Sequence, residues 1–203
     1  KCALARSRKG MRLIFLKLVF ASGSGTNAEN IIKYFRTDNS ANVVLILSNN
    51  PDAFVLNRAS RLNVKSIVFN KEQINNLEWA TANLLNYNID LIILAGYLWK
   101  FPAYLLKTYQ NKVINLHPSL LPKYGGKGMY GTNVHKAVVS NKETETGITI
   151  HYVNEYYDQG AIIFQAKCPI FQSDTFKDVA YKIRHLELDH FPTVIHKILC
   201  KNG

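Results

Sequence analysis

The stretch Leu18-Val19-Phe20-Ala21-Ser22-Gly23-Ser24-Gly25-Thr26-Asn27 joins an apolar run to a Gly-rich turn and then to a segment of helical periodicity. A strand that passes through a tight turn into a helix is the repeating unit of parallel sheets. The turn also offers free backbone N–H groups and the positive end of a helix dipole to an anion. Ala28 occupies the position of the third Gly in the dinucleotide-binding pattern GxGxxG, so the turn favours a phosphate over a dinucleotide as its ligand. A simple tight turn is the alternative interpretation.

The alternation of apolar runs and helical segments continues outward from this turn. Runs dense in Val, Ile and Leu predict buried strands at residues 13–21, 43–47, 66–69, 91–94 and 112–115. The segments between them predict helices at residues 27–35, 52–62, 72–87 and 102–109. A Pro- and Gly-rich loop at 118–131 precedes a helix at 133–140 and two alternating runs, 147–153 and 161–170, that predict antiparallel strands. A last helix is expected from Asp174, broken or kinked by Pro192.

This pattern predicts a single α/β domain of Rossmann-like type. Its sheet is expected to be twisted and mostly parallel, with an antiparallel C-terminal portion and helices on both faces. A chain of 203 residues with 47% hydrophobic residues suffices for one such core. Because the chain begins with Lys, residues 1–10 are expected to be a tag remnant or an upstream extension, ahead of a domain at 11–203. Lys17 interrupts the apolar part of this basic segment, which argues against a secretory signal.

Charge and cysteine content narrow the class of protein. The net charge of +11 raises the alternative of a basic nucleotide- or RNA-binding module. Beyond residue 17 the 19 basic and 14 acidic residues are scattered, so we expect a solvated basic face that favours small anionic substrates and no nucleic-acid partner. The three cysteines lack CxxC pairing, and no His spacing suits a metal. No apolar run is long enough for a membrane span, so we predict a cytoplasmic enzyme without membrane partners.

Asn115 and His117 alternate at the end of a predicted strand that Pro118 stops. Both side chains should therefore face the same way at a carboxyl-end crevice, where open α/β sheets bind ligands. Asp158 follows 41 positions after the histidine, before Gln159-Gly160. An amide, an imidazole and a carboxylate are the groups needed to polarise a carbonyl and to move protons between two amines. Taken singly, a strand-end His or an Asp before Gly is more often structural.

Together these segments resemble the folate-dependent formyltransferases, and in particular their phosphoribosylglycinamide formyltransferase (glycinamide ribonucleotide) branch. The resemblance covers about residues 18–200 in the same order. It is carried by Ser22-Gly23-Ser24-Gly25-Thr26-Asn27, Ser48-Asn49, Leu94-Ala95-Gly96-Tyr97, Asn115-Leu116-His117-Pro118-Ser119-Leu120-Leu121-Pro122 and Asp158-Gln159-Gly160.

The resemblance implies the formyltransferase fold and transfer of a formyl group from the co-substrate 10-formyltetrahydrofolate to the amine of 5'-phosphoribosylglycinamide, in de novo purine biosynthesis. Asn115, His117 and Asp158 match the catalytic trio. The Asn115 amide and a protonated His117 would stabilise an oxyanion. Asp158 would raise the pKa of His117 and organise a water that relays the proton. The partners are expected to be small-molecule substrates, with no metal, and the protein a monomer or homodimer.

The resemblance also implies binding residues. The phosphate is expected on Gly25, Thr26 and Asn27, and further substrate contacts on Arg184 and Glu187, for which a surface ion pair is the alternative. The folate site is expected to involve Leu98, Trp99, Lys100, Phe101 and Asn115. Many relatives have Arg where this chain has Trp99. The loop at residues 124–131 is longer and richer in Gly than in better-known members of the family, so we expect this loop to be mobile and to border the site.

Other enzymes share the catalytic trio. A formyltetrahydrofolate deformylase uses water as acceptor, and methionyl-tRNA or sugar-amine formyltransferases use other amines. The deformylase resemblance calls for a further domain before the first strand, and the tRNA enzyme for one after the last helix. The length of the chain and its phosphate-type turn therefore favour a small phosphorylated acceptor.

Overall fold

The computed structural model describes residues 15–202, so the expected tag remnant or extension at residues 1–10 lies outside the described residues. The chain divides into two compact units. The first comprises residues up to Tyr97 together with those from Pro192 onward, and the second is Leu98–Phe191. A single domain over residues 11–203 stays a prediction. Within the described residues, no helix is both long and apolar enough to cross a membrane.

The first unit contains four parallel strands, β1 (Phe15–Phe20), β2 (Ala41–Ser48), β3 (Lys65–Val68) and β4 (Leu91–Leu94). Their order is β3-β2-β1-β4. Helices α1 (Thr26–Asp38) and α2 (Phe54–Arg61) follow β1 and β2. The side chains of β1 from residue 18 to residue 20 are fully buried. This burial explains why the strand is apolar at consecutive positions rather than alternating.

The predicted helix over residues 72–87 is wrong as one element. The structure has α3 (Lys71–Asn75), α4 (Leu77–Asn83) and a short 3-10 turn at Leu85–Tyr87. Asn76 has an extended backbone with φ −95° and ψ 121°, and its side chain accepts a hydrogen bond from the Trp79 N–H. It therefore ends one helix and caps the next. A local side-chain cap overrides the continuous helical periodicity here.

The second unit contains α5 (Ala103–Thr108), β5 (Val113–His117), α6 (Thr132–Ser140), β6 (Glu145–Tyr152) and β7 (Ile162–Pro169). β5 pairs antiparallel with β6, and β6 pairs antiparallel with β7. The register places Asn115 opposite His151, and His117 opposite Thr149. Parallel strands in the first unit and antiparallel strands in the second confirm the predicted mixed α/β class with its antiparallel C-terminal portion.

The last helix, α7 (Phe176–Asn202), differs from its prediction at two points. Its N-terminal cap is Thr175 rather than Asp174, because the Thr175 N–H and hydroxyl donate to Asp178 Oδ2 at 2.8 and 2.6 Å. The carboxylate of Asp174 instead accepts from the Phe171 N–H in the preceding turn. The helix also runs through Pro192, so the predicted break is absent. A proline removes one helical N–H donor, and burial of Phe191 just before it helps to keep the helix continuous.

Candidate active site

The segment that follows β5 is held by side chains of the neighbouring strands. The Thr149 hydroxyl of β6 donates to the Ser119 carbonyl at 2.7 Å and accepts from the Leu121 N–H at 3.0 Å. The Gln165 amide of β7 donates to the Leu121 carbonyl at 3.0 Å. Because these contacts begin two residues after His117, they fix the direction in which the chain leaves the strand and keep the imidazole at its end.

Asp158 lies in a tight turn between β6 and β7. Its backbone is left-handed, with φ +56°. Gly160 is required nearby, since a Cβ there would lie 1.6 Å from the Tyr152 carbonyl oxygen. The Gly126 N–H donates to Asp158 Oδ2 at 2.9 Å. The turn and this backbone donor together direct the carboxylate toward the end of β5.

The structure brings the three predicted catalytic residues into one cluster within the second unit. His117 Nδ1 lies 3.5 Å from Asp158 Oδ1, and the imidazole is only 3% exposed. Asn115 is linked to the pair through His151, whose Nε2 lies 3.1 Å from Asn115 Nδ2 and 3.7 Å from Asp158 Oδ1. The cluster therefore contains an amide donor, two imidazoles and a carboxylate.

Burial dominates the electrostatics of His117. It lowers the pKa of the imidazole, although the charge of Asp158 and the Tyr124 carbonyl each raise it in part. The predicted upward effect of Asp158 is therefore present, and burial outweighs it. Burial alone would raise the pKa of Asp158, yet its contacts with His151, His117 and the Gly126 N–H lower it overall. Near neutral pH the resting pair is thus a carboxylate beside a neutral imidazole.

The loop at residues 124–131 contacts two catalytic side chains through its backbone. His117 Nε2 lies 2.8 Å from the Tyr124 carbonyl oxygen. A carbonyl only accepts, so Nε2 carries the hydrogen and Nδ1 of the neutral ring faces Asp158. The Tyr124 hydroxyl donates to Glu143 Oε1 at 2.9 Å, which anchors the start of the loop. With Gly126 on Asp158, the loop borders the cluster as predicted; its mobility stays a prediction.

The predicted phosphate turn lies in the first unit. Gly25 caps α1 with a left-handed backbone of φ +72°, and a Cβ there would lie 2.4 Å from Val55 Cγ2. Thr26 and Asn27 form the first turn of α1. Arg58 Nε of α2 donates to the Ser24 carbonyl at 2.8 Å. The turn is therefore fixed in shape by α2 and directs the N-terminal N–H groups of α1 outward.

A charged cluster braces this turn, and the sequence did not predict it. Glu29 in the first turn of α1 is buried and contacts Lys33, Arg58 and Arg61. The Lys33 hydrogen bond, against the effect of burial and with help from both arginines, lowers the pKa of Glu29 to about 2. The carboxylate therefore stays charged and holds Arg58 beside the turn.

The remaining predicted contacts lie in the second unit. Arg184 is exposed and Glu187 half-buried, both on α7. In the segment after β4, Leu98 and Lys100 are exposed and Trp99 is half-buried, but the Phe101 side chain is only 4% exposed. Phe101 can therefore offer a ligand only its backbone groups.

His151 is the side chain that the sequence analysis missed. Thr149 and His151 alternate along β6, as Asn115 and His117 do along β5, so two facing polar pairs were the available signal. The contacts of the Tyr124 carbonyl and the Gly126 N–H could not be predicted from the sequence, because every residue type other than Pro has both of these backbone groups. In the part of the chain that the structure describes, no group of three or more His, Cys, Asp or Glu side chains is suited to a metal ion.

The cluster and the mixed α/β architecture agree with a group-transfer enzyme that acts on a carbonyl carbon. A family model described as formyl transferase matches residues 16–195. The chain therefore belongs to the formyl transferase family, which confirms the predicted family and class of enzyme.

Three comparisons refine this membership. The chain is 37% identical over 182 residues to the phosphoribosylglycinamide formyltransferase of Haemophilus influenzae, covering 87% of this chain and 84% of that protein. It is 35% identical over 187 residues to the chloroplastic enzyme of that name from Arabidopsis thaliana, covering 89% of this chain and 64% of the relative. The crystal structure of the Anaplasma phagocytophilum enzyme of that name matches with a TM-score of 0.82 and 28% identity, covering 94% and 89% of the two chains. This likeness confirms the predicted formyltransferase fold.

Proposed function

We propose that this formyltransferase moves the formyl group of 10-formyltetrahydrofolate to the amine of 5'-phosphoribosylglycinamide, a step of de novo purine biosynthesis. The observation that carries the proposal is the pairing of His117 and Asp158 at 3.5 Å, with His151 lying between Asn115 and Asp158. The names of the relatives support the same acceptor.

The first step is attack of the neutral amine on the formyl carbon, which forms a C–N bond and an oxyanion. The Asn115 side-chain N–H is the donor assigned to this oxyanion. As the proton of the attacking amine reaches His117, the charged ring stabilises the same oxyanion through its positive charge. Removal of one pre-aimed donor of this kind typically costs about 10² to 10³ in rate.

The proton of the attacking amine must then reach the departing folate nitrogen as the original C–N bond breaks. His117 is neutral at rest with Nδ1 facing Asp158. Uptake of the amine proton at Nδ1 gives a charged ring beside the carboxylate, and the proton then passes from Nδ1 through a water held by Asp158 to the leaving folate nitrogen, which returns the ring to its neutral state. The low pKa of Asp158 keeps that carboxylate charged through the cycle.

The substrate-binding roles are part of this proposal. The phosphate is assigned to the backbone N–H groups at Gly25, Thr26 and Asn27, and Arg184 and Glu187 are assigned to the acceptor substrate. The fixed left-handed turn at Gly25 supports the phosphate assignment.

The folate is assigned to Leu98, Trp99, Lys100, the Phe101 backbone and Asn115. The exposed apolar side chain of Leu98 and the half-buried ring of Trp99 suit the flat pteridine.

We further infer a cytoplasmic protein that acts on small molecules as a monomer or homodimer, without nucleic-acid or membrane partners and without a metal. The Arabidopsis relative is named as chloroplastic, so location is tested by fractionation of the source cells. Sedimentation of the purified chain tests its oligomeric state.

Absorbance-monitored turnover of 10-formyltetrahydrofolate, with and without phosphoribosylglycinamide, tests the reaction. We expect turnover only when the ribonucleotide is present. His117→Asn should abolish most of it, while His185→Asn, at an exposed histidine of α7, serves as the matched control and should keep it.

Three outcomes would point elsewhere. Turnover without the ribonucleotide would assign a deformylase, and turnover with another amine only would assign a different acceptor. Absence of turnover together with salt-dependent RNA binding that survives His117→Asn would favour the basic binding module.

A further inference from the structure

His151 lies on β6 directly opposite Asn115 and is only 2% exposed. We propose that His151 is a positioning residue, which fixes the orientation of the Asn115 side-chain amide so that its N–H rather than its oxygen faces the reacting formyl group. This inference rests on the proposed function, because it assigns the Asn115 amide to the oxyanion.

The hydrogen bonds of His151 define the tautomer of its ring. Nδ1 lies 2.9 Å from the Tyr152 carbonyl oxygen. Since that oxygen only accepts, Nδ1 carries the hydrogen. A neutral imidazole has a single N–H, so Nε2 is an acceptor. The atom that lies 3.1 Å from Nε2 is Asn115 Nδ2, which therefore donates to it.

This hydrogen bond removes an ambiguity that an amide side chain otherwise has. The oxygen and nitrogen of an asparagine exchange places by a half-turn about its last bond, and the two orientations have nearly equal shape. An acceptor at His151 Nε2 accepts from Nδ2 and repels Oδ1. The second N–H of Asn115 Nδ2 stays available for the oxyanion, whereas a flipped amide would present an oxygen that repels it.

The carboxylate of Asp158 is the second group near His151 Nε2. Asp158 Oδ1 lies 3.7 Å from His151 Nε2, beyond hydrogen-bond length, while Asn115 Nδ2 is within it. The contact with Asn115 is therefore the shorter of the two that Nε2 makes.

Two substitutions of similar size distinguish the roles of the two ring nitrogens of His151. His151→Gln can place its amide oxygen near the position of Nε2 and so keep an acceptor for Asn115. His151→Asn can keep an N–H donor to the Tyr152 carbonyl, but it is too short to reach the Nε2 position. We expect His151→Asn to lower kcat about 10- to 100-fold, as loss of an orienting partner typically does, with the KM of both substrates changed less than about threefold. His151→Gln should stay within about fivefold of the parent kcat.

A merely structural role for His151 predicts a different result. It would lower the stability and the active fraction of both variants alike, without separating kcat from KM. Unfolding midpoints and active-site titration of both variants control for this possibility. Equal losses in the two variants, or an unchanged kcat in His151→Asn, would overturn the proposal.

Nitrogen NMR of the folded protein gives a readout that needs no turnover. The imidazole of His151 should show a protonated Nδ1 and an unprotonated Nε2, and His151→Asn should shift the side-chain amide signals of Asn115 more than His151→Gln does. A hydrogen on Nε2, or Asn115 signals that are equal in both variants, would refute the inference. If the parent protein lacks ribonucleotide-dependent turnover, the proposed function fails, and these spectra still decide whether His151 orients Asn115.

Discussion

Lys17 lies in the central strand β1 with its side chain fully buried. Its Nζ has no hydrogen-bond acceptor among the residues that the structure describes, and it lies 3.4 Å from the centroid of the Phe35 ring. Burial lowers the pKa of this lysine from 10.5 to about 7, although the charges of Asp38 and Asp90 oppose the change. The unfolded chain therefore holds the proton more tightly than the folded one, so the lysine destabilises the fold at low pH and ceases to do so as the pH approaches 10.5.

The size of this effect follows from the two pKa values. One pKa unit corresponds to about 1.4 kcal/mol, so a fall from 10.5 to about 7 costs on the order of 4 kcal/mol at pH 7. The contact with Phe35 favours the charged form and therefore acts through this same pKa, so it is not a separate gain. Lys17→Met keeps the length of the side chain without its charge. It should therefore raise the free energy of unfolding by up to about 4 kcal/mol at pH 7.

Urea unfolding of the parent and of Lys17→Met at pH 7, 8.5 and 10, followed by circular dichroism, measures this difference. The gain should shrink toward zero with rising pH, because the lysine becomes neutral in both states. Lys112→Met, at an exposed lysine, is the matched control and should change stability by less than about 0.5 kcal/mol. A Lys17→Met variant that is less stable at pH 7, or a gain that does not depend on pH, would refute the reasoning.

Three further predictions concern backbone conformation and the carboxylate of Asp158. Gly25→Ala should lower the free energy of unfolding by about 2 to 5 kcal/mol in urea titrations, because its Cβ would lie 2.4 Å from a side-chain atom of α2 and its φ is positive, whereas Gly23→Ala, with open space, should cost less than about 1 kcal/mol. Gly126→Ala and Gly128→Ala should lose similar stability, since both positions have positive φ and open space. Only Gly126→Ala should move the acidic limb of the kcat/KM profile to higher pH, because the Gly126 N–H stabilises charged Asp158. Identical pH profiles for the two variants would contradict this. Asp158→Asn should lower single-turnover rates at least about 10²-fold, and it should flatten acid unfolding below about pH 4, since a carboxylate with a lowered pKa contributes stability that is lost as the pH falls through its folded value.

The sequence predicted those parts of the fold that depend on hydrophobic pattern. Consecutive apolar residues marked β1, and alternation marked β6, because burial on both faces or on one face leaves a direct trace in residue type. The helix expected at residues 72–87 failed at Asn76, where one side-chain hydrogen bond starts a new helix. Pro192 does not break α7, so of the two effects expected of it only the kink stays a prediction.

The site was predictable to the extent that its chemistry lies in side chains on regular strands. Asn115 and His117 were expected together because strand alternation places them on one face. The role of His151 depends on the register between β5 and β6, which follows from pairing rather than from spacing along the chain. The net fall in the pKa of His117 was likewise out of reach, because burial depends on how the whole unit packs.

The loop at residues 124–131 shows how a site can depend on backbone rather than on residue type. Its two contacts with the catalytic pair are a carbonyl on His117 and an N–H on Asp158, and both come from residues with positive φ, +59° at Tyr124 and +97° at Gly126. At Tyr124 the residue type can change without loss of the carbonyl contact, provided that the backbone stays left-handed, whereas the φ of Gly126 is one that residues with a Cβ rarely adopt. A residue that forces φ negative would turn the carbonyl or the N–H away while leaving all three catalytic side chains in place. In the proposed mechanism the loop backbone is thus part of the site, since Asn115, His117 and Asp158 with a differently folded loop would lack the donor on Asp158 and the acceptor on His117.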